Sequence, residues 1–260
     1  MPRADGVAPI VAAAMVHDVA DERALVIQND PTDPVGRLGG WLADAGLAPH
    51  VVREAPDPAA LDGYAALVVL GGAASAHESS LRPVRALLAR AAARELPTLG
   101  ICLGAQLLAL ALGGRVERNP EGPEYGARLV AKRSAAATDP LFRAVPITPD
   151  VLQWHVDAVT ELPPGAVQLA AGPVCDVQAF RVGRLAWGLQ FHIETTPEMV
   201  RGWARTDSDA LADYDIEEIL ARADAAHADI AQTWEPFAVA FADVARHPDP
   251  VGSPQPPGLR

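Results

Sequence analysis

The sequence predicts an α/β protein: a mostly parallel open sheet with helices on both faces, an antiparallel extension and an acidic helical C-terminal appendage. Three features predict it. Short apolar runs end in turn residues at 23–30, 65–70 and 97–101. Segments of helical character separate them, and glycines punctuate the junctions. Strand, crossover helix and strand in this rhythm make βαβ units, and a parallel sheet built from them has both faces covered.

The elements follow in order. Residues 23–30 (RALVIQND) read as a buried strand, and 34–46 (PVGRLGGWLADAG) as a helix stopped by Gly46. A second strand is expected at 50–53, before a Pro-rich turn at 55–58. Residues 65–70 (AALVVL) form a strongly apolar strand that runs into Gly71-Gly72. A helix is expected over 80–95, with Pro83 in its first turn, where its missing N–H costs nothing. The strand at 97–101 leads to a short apolar helix at 105–112, closed by Gly113-Gly114. Beyond Gly114 the texture changes to short strand candidates at 128–132, 151–153, 167–170, 177–182 and 185–190, read as an antiparallel extension on the same sheet.

From Pro197 to about 246 the pattern is helical and acidic, with Thr196 as N-cap and Pro197 in the first turn. The expected organisation is a flexible segment at 1–21, a main domain at 22–200, a helical appendage at 201–246 and a Pro-rich, disordered tail at 247–260. The appendage carboxylates, Asp207 and Asp209 among them, read as a solvated face. Interleaved Trp203, Trp234, Phe237 and Phe241 read as a buried one, packed on the main domain, over its active site or against a second copy.

Composition excludes several classes. The 21 Lys and Arg against 33 Asp and Glu leave a net charge of −12, and no basic patch offsets it, so nucleic acid is not an expected partner. Two cysteines, Cys102 and Cys175, cannot make a disulfide framework in 260 residues, and no C-x-x-C pair suggests structural zinc. The apolar stretch at 7–16 is too short and too weakly basic at its start for a signal peptide. No run approaches the ~20 apolar residues that cross a bilayer, so a cytoplasmic protein is expected, with no membrane partner.

The sharpest chemical signal is Gly100-Ile101-Cys102-Leu103-Gly104, between an expected strand and an expected helix. A nucleophile there lies on a tight turn that the flanking glycines permit, at the carboxyl ends of the strands where open α/β sheets bind ligands. The N-terminus of the following helix favours negative charge on the sulfur, and the Leu103 N–H is placed for an oxyanion. The competing reading is a buried packing cysteine. A thiol nucleophile needs a base and the base an orienting group. Trp187 to Glu194 ends another strand candidate, and residues two apart in an extended segment project to one side, so His192 and Glu194 can meet at its mouth. Cys175 has no glycine-flanked turn and reads as packing.

With these residues in view, the sequence resembles the class I (triad) glutamine amidotransferases, most nearly the glutaminase domain of GMP synthase and its stand-alone relatives. The segments that carry the resemblance are Leu70-Gly71-Gly72, Gly100 to Gln106, Gly113-Gly114 and Gln190-Phe191-His192-Ile193-Glu194. It implies a flavodoxin-like fold and no cofactor. It implies that Cys102 attacks the glutamine side-chain amide, that His192 shuttles the proton and that Glu194 orients His192. Gly72 and Leu103 would supply the oxyanion hole, and Gly71 and Gln106 would border the substrate. Gln153-Trp154-His155-Val156-Asp157 resembles the family's Ser-His-Gly-Asp segment, with Val156 in place of Gly, and Glu124-Tyr125-Gly126 resembles its Glu-Phe-Gly loop. Tyr125, His155, Val156 and Asp157 would thus line the pocket. Ile193 stands where many relatives carry Pro. A metal held by His155, Asp157, His192 and Glu194 is disfavoured.

Three functions follow from these readings. One is a stand-alone hydrolase of glutamine or of a γ-glutamyl small molecule. Another is a glutaminase chain serving a separately encoded synthetase subunit, since no ATP-pyrophosphatase phosphate loop follows Glu194. The third is an inactive binding protein, against which the Cys102, His192 and Glu194 set speaks.

Overall fold

The computed structural model describes residues 22–248; the expectations for 1–21 and for the tail beyond 248 lie outside the described residues. Five parallel strands form the larger part of the main sheet: β1 (Arg23–Ile27), β2 (Ala48–Val52), β3 (Ala66–Val69), β4 (Thr98–Ile101) and β12 (Ala186–Leu189). The remaining strands of this eight-stranded sheet are antiparallel: β11 (Ala179–Val182), β10 (Val167–Ala171) and the two-residue β7 (Ala131–Lys132). Its order is β2-β1-β3-β4-β12-β11-β10-β7. The order reverses between β1 and β3, the position at which ligands bind in sheets of this topology.

The helices lie where the strand pattern sends them. In β1 the alternate residues Ala24 and Val26 face one core and Leu25 and Ile27 the other, all buried. α2 (Arg82–Ala93) and α3 (Leu103–Ala111) cover the second face through Leu87, Leu88, Leu107 and Leu108. α1 (Gly36–Asp44) and the long α5 (Ile216–Arg246) cover the first. α5 buries Trp234, Phe237 and Phe241 in the same core as Leu38 and Leu42 of α1, each large side chain contributing roughly 1.5–3 kcal/mol. Its Trp234 indole donates to the Asp150 carbonyl at 2.9 Å. α4 (Pro197–Thr206) starts at Thr196, whose hydroxyl accepts from the Met199 N–H, and Asp215 caps α5 through the Glu218 N–H. The helical pattern expected from Pro197 to about 246 is divided between these two helices.

The region after Gly114 differs in part from expectation. Two separate antiparallel ribbons stand off the main sheet: β5 (Arg115–Arg118) with β9 (Asp157–Glu161), and β6 (Glu124–Leu129) with β8 (Asp150–His155). The strands near 128–132 and 151–153 therefore pair mostly with each other, and β5 and β9 carried no clear alternating pattern. The reason is tertiary. β8 docks on the end of β12 through a single bridge, His192 N–H to Leu152 O at 2.8 Å and its reciprocal at 3.3 Å. That docking folds the ribbon over the carboxyl ends of the parallel strands. Among the described residues no helix is long and apolar enough to cross a membrane.

Candidate active site

Cys102 sits between β4 and α3 with φ +50° and ψ −110°, a conformation that a side chain rarely adopts. Its neighbours show what holds it there. A Cβ on Gly100 would lie 2.6 Å from the Gly104 carbonyl, and one on Gly104 would run into the Val69 carbonyl. Only two glycines let α3 begin this close to β3 and β4. The sulfur is thereby lifted to the carboxyl end of the sheet, where the Trp154 carbonyl and the Gln190 side-chain amide each lie 3.8 Å away.

His192 and Glu194 follow β12. His192 Nδ1 lies 2.6 Å from Glu194 Oε1, and the Ile193 N–H donates to Oε2 at 2.9 Å. Both side chains are buried, His192 Nε2 has no hydrogen-bond partner among the described residues, and Cys102 lies near enough for its sulfur to act on the ring. Burial depresses the imidazole's pKa, but the Glu194 carboxylate and the Cys102 sulfur outweigh it and hold His192 well above its ordinary range. An imidazolium so placed stabilises a negative sulfur. Glu194 is anchored from behind: the Arg37 N–H donates to its carbonyl at 2.9 Å, and a Cβ on Gly36 would strike that carbonyl.

A cleft of about 310 Å³ opens over the sulfur. Gly72 and Leu103 line it, as do Gln106, Tyr125, Val156 and Asp157. Gly71 lies just beneath: a Cβ there would meet His192 Cε1 at 3.0 Å and Cys102 Cβ at 3.7 Å. Gln106 donates from Nε2 to the Asp157 carbonyl at 2.9 Å and to Gln190 Oε1 at 3.4 Å, tying α3 to the β8–β9 turn. His155 borders the cleft, but both its nitrogens are engaged, with Glu124 Oε2 at 3.2 Å and the Asp157 carbonyl at 3.0 Å. Its ring braces the ribbon. The brace continues inward, since Gln178 donates to Glu124 Oε2 at 2.7 Å and Gln153 to Gln178 Oε1 at 2.8 Å.

Cys175 lies beside this network, its thiol pushed up to about 12 by burial and then by Glu124. Ligand-type atoms of Glu124, His155 and Cys175 come within 4.8 Å of one another. The carboxylate and imidazole already bond each other and Gln178, so the cluster is satisfied without an ion.

Three cleft residues were not singled out as functional from sequence. Asp207, expected on a solvated face, accepts from the Trp154 indole at 2.8 Å, which pins the rim of the cleft. Trp203 of α4 packs its ring 4.8 Å from that of His192 and donates to Asp33 Oδ1 at 2.6 Å and to the Thr32 carbonyl at 3.2 Å. Asp33 itself lies in the loop after β1, and burial pushes its pKa up to about 6, with His192 opposing the rise. The topological rule for open sheets, applied to the loop after the first strand, would have pointed to Asp33.

A cysteine on a strand-to-helix turn, backed in line by an imidazole and a carboxylate, defines a Cys-His-Glu triad on an open α/β sheet. The family model "Glutamine amidotransferase class-I" matches residues 41–201, and the chain belongs to that family. It is 36% identical over 156 residues to aminodeoxychorismate synthase of Streptomyces griseus, covering 58% of this chain and 20% of that protein. It is 43% identical over 99 residues to one subunit of the glutamine-hydrolyzing GMP synthase of Thermococcus kodakarensis, covering 38% of this chain and 50% of the relative. The matched region is thus half or less of each of these two relatives' length. The crystal structure of a glutamine amidotransferase from Methylobacillus flagellatus superposes with a TM-score of 0.76 at 27% identity, over 86% of this chain and 95% of that one.

Proposed function

We propose that this chain is a cysteine-dependent hydrolase of the side-chain amide of glutamine or of a γ-glutamyl compound, working through a γ-glutamyl thioester. The observation that carries the reading is the triad geometry: Cys102 on its strained turn, near enough for its sulfur to act on the His192 ring, and Glu194 Oε1 2.6 Å from Nδ1 of that ring. Cys102 adds to the amide carbon, and the N–H groups of Gly72 and Leu103 stabilise the oxyanion. His192 gives its proton to the nitrogen as the C–N bond breaks, so ammonia or an amine departs. His192 then takes a proton from water, whose oxygen adds to the thioester carbon. The C–S bond breaks and the thiolate is restored with His192 protonated. Gln106, Tyr125, Val156 and Asp157 border the amino-acid end of the substrate, and Gly71 leaves room beneath the nucleophile.

The test is ammonia or amine release from L-glutamine and a panel of γ-glutamyl amides, with Cys102→Ala as blank. Cys102-dependent turnover is the expected result, and turnover that survives Cys102→Ala sinks the mechanism. The likeness to one subunit of a GMP synthase favours a second reading, in which the ammonia passes to a separately encoded synthetase. Silence toward every amide, with Cys102 still labelled by a chloroketone analogue of glutamine, would select that reading.

A further inference from the structure

Asp33 is a buried carboxylate that the triad does not use. Its Oδ1 is held by the Trp203 indole at 2.6 Å, whereas its Oδ2 has no hydrogen-bond partner among the described residues. Asp33 borders the cleft. The free oxygen lies against Gly71: a Cβ built there would lie 2.9 Å from Asp33 Oδ2, 3.0 Å from His192 Cε1 and 3.7 Å from Cys102 Cβ. The carboxylate oxygen and the Cε1 edge of the imidazole therefore border the same space over Gly71, on the cleft that holds Cys102. Gln106 and Asp157 belong to the separate α3 and β8–β9 wall.

We infer that Asp33 Oδ2 receives an N–H of the substrate's leaving nitrogen, which makes Asp33 a specificity residue for nitrogen leaving groups. This rests on the thioester reading above. As Cys102 Sγ bonds to the amide carbon and the C–N bond breaks, the nitrogen keeps the bonding pair and takes the His192 proton. The N–H that faces Asp33 stays on nitrogen throughout, and Asp33 neither gains nor loses a proton. An amide or γ-glutamyl amine can make this contact. A γ-glutamyl ester, whose leaving oxygen carries no hydrogen before the bond breaks, cannot. Trp203 acts one step back as a positioning residue, fixing the carboxylate through Oδ1.

The experiment pairs γ-glutamyl methylamide with γ-glutamyl methyl ester, hydrolysed by the full chain and its Asp33→Asn and Trp203→Phe variants. Asn in place of Asp33 keeps the shape but turns either an N–H or a neutral oxygen toward the leaving nitrogen. The expected result is a loss of about 10- to 100-fold in kcat/KM for the amide, with the ester changed less than about twofold. Trp203→Phe should give a smaller, equally amide-selective loss. Equal losses on both substrates, or no loss on either, would overturn the assignment. The former would mark Asp33 as a structural group or one that serves the amino-acid end. If the unaltered chain cleaves neither substrate in a Cys102-dependent way, the assignment falls, and the chloroketone label separates the causes: an unlabelled Cys102 sinks the thioester reading as well, whereas a labelled one leaves that reading standing without Asp33.

Discussion

The two carboxylates near His192 come from regions built in different ways. Glu194 lies two residues from the imidazole, and both its oxygens are engaged, by His192 Nδ1 and the Ile193 N–H. Asp33 arrives from the loop after β1, and its free oxygen is aimed only because Trp203, 170 residues away, holds the other. The first region, with the Cys102 turn beside it, is specified by short-range spacing and by glycines that nothing else can replace. The second is assembled by packing α4 against the opposite end of the chain. Locally specified chemistry suits the step common to all substrates. Chemistry assembled over distance suits what varies between them.

The largest expected effect strikes the local side. Cys102→Ala should lower turnover about 10⁶-fold, as loss of a nucleophile acting within a triad does. Ammonia release measures it, with an unchanged melting temperature showing that the fold survives. Glu194→Gln should cost roughly 10²- to 10⁴-fold, because the imidazole loses the charge that holds it protonated and oriented. A pH–rate profile should move its descending limb to lower pH, since His192 without Glu194 gives up its proton more readily. An unmoved limb would argue that Glu194 does not govern that proton.

Gly104→Ala tests whether the strained turn depends on close approach. Its Cβ meets the Val69 carbonyl, so denaturant unfolding should show a loss of about 3 kcal/mol or more. A wild-type midpoint would mean that α3 can shift away at little cost.

Asp33 supplies the contrasting, smaller effect. Its carboxyl is pushed from 3.8 up to about 6, so above pH 6 the folded state carries a buried charge that the unfolded chain solvates freely. That cost fades as pH falls from 6 toward 3.8. Asp33→Asn should therefore stabilise the protein at pH 7.5 by at most about 3 kcal/mol, and the gain should shrink toward pH 4.5. Thermal melts at the two pH values check the sign, and destabilisation at pH 7.5 would contradict it. The smallest effect is expected for Cys175→Ser. Among the described residues its sulfur makes one hydrogen bond, to the Val177 carbonyl at 3.5 Å, so turnover should stay within about twofold. A large loss without unfolding would give the Glu124–His155 network a direct part in turnover.

How much of this could be read in advance follows the same division. The β4–α3 junction announced itself through Gly100 and Gly104, because a backbone at positive φ pressed against a neighbouring strand leaves a sequence signature. His192 and Glu194 were legible as an i, i+2 pair on one strand end. The apolar runs of β1, β3 and β4 were legible because they are buried on both faces. The ribbons were not. β5 and β9 are short and partly exposed, and β8 owes its position to a bridge with His192, a contact that no local pattern encodes. Asp207 looked like a solvated carboxylate because its partner, the Trp154 indole, lies 53 residues earlier in the chain.

By itself, then, the sequence determined the parallel α/β frame, the strained Cys102 turn and the His192–Glu194 pair, since each depends on periodicity, glycine placement or a two-residue spacing. The tertiary structure alone decided that β6–β8 folds over the strand ends, that α4 and the segment after it wall the cleft, and that Asp33 comes to lie with the imidazole around Gly71. Those outcomes hang on burying Trp203, Trp234, Phe237 and Phe241 against distant elements. Apolar burial is non-directional: a sequence shows which side chains seek a core, and only the packed chain shows which polar groups they carry into place.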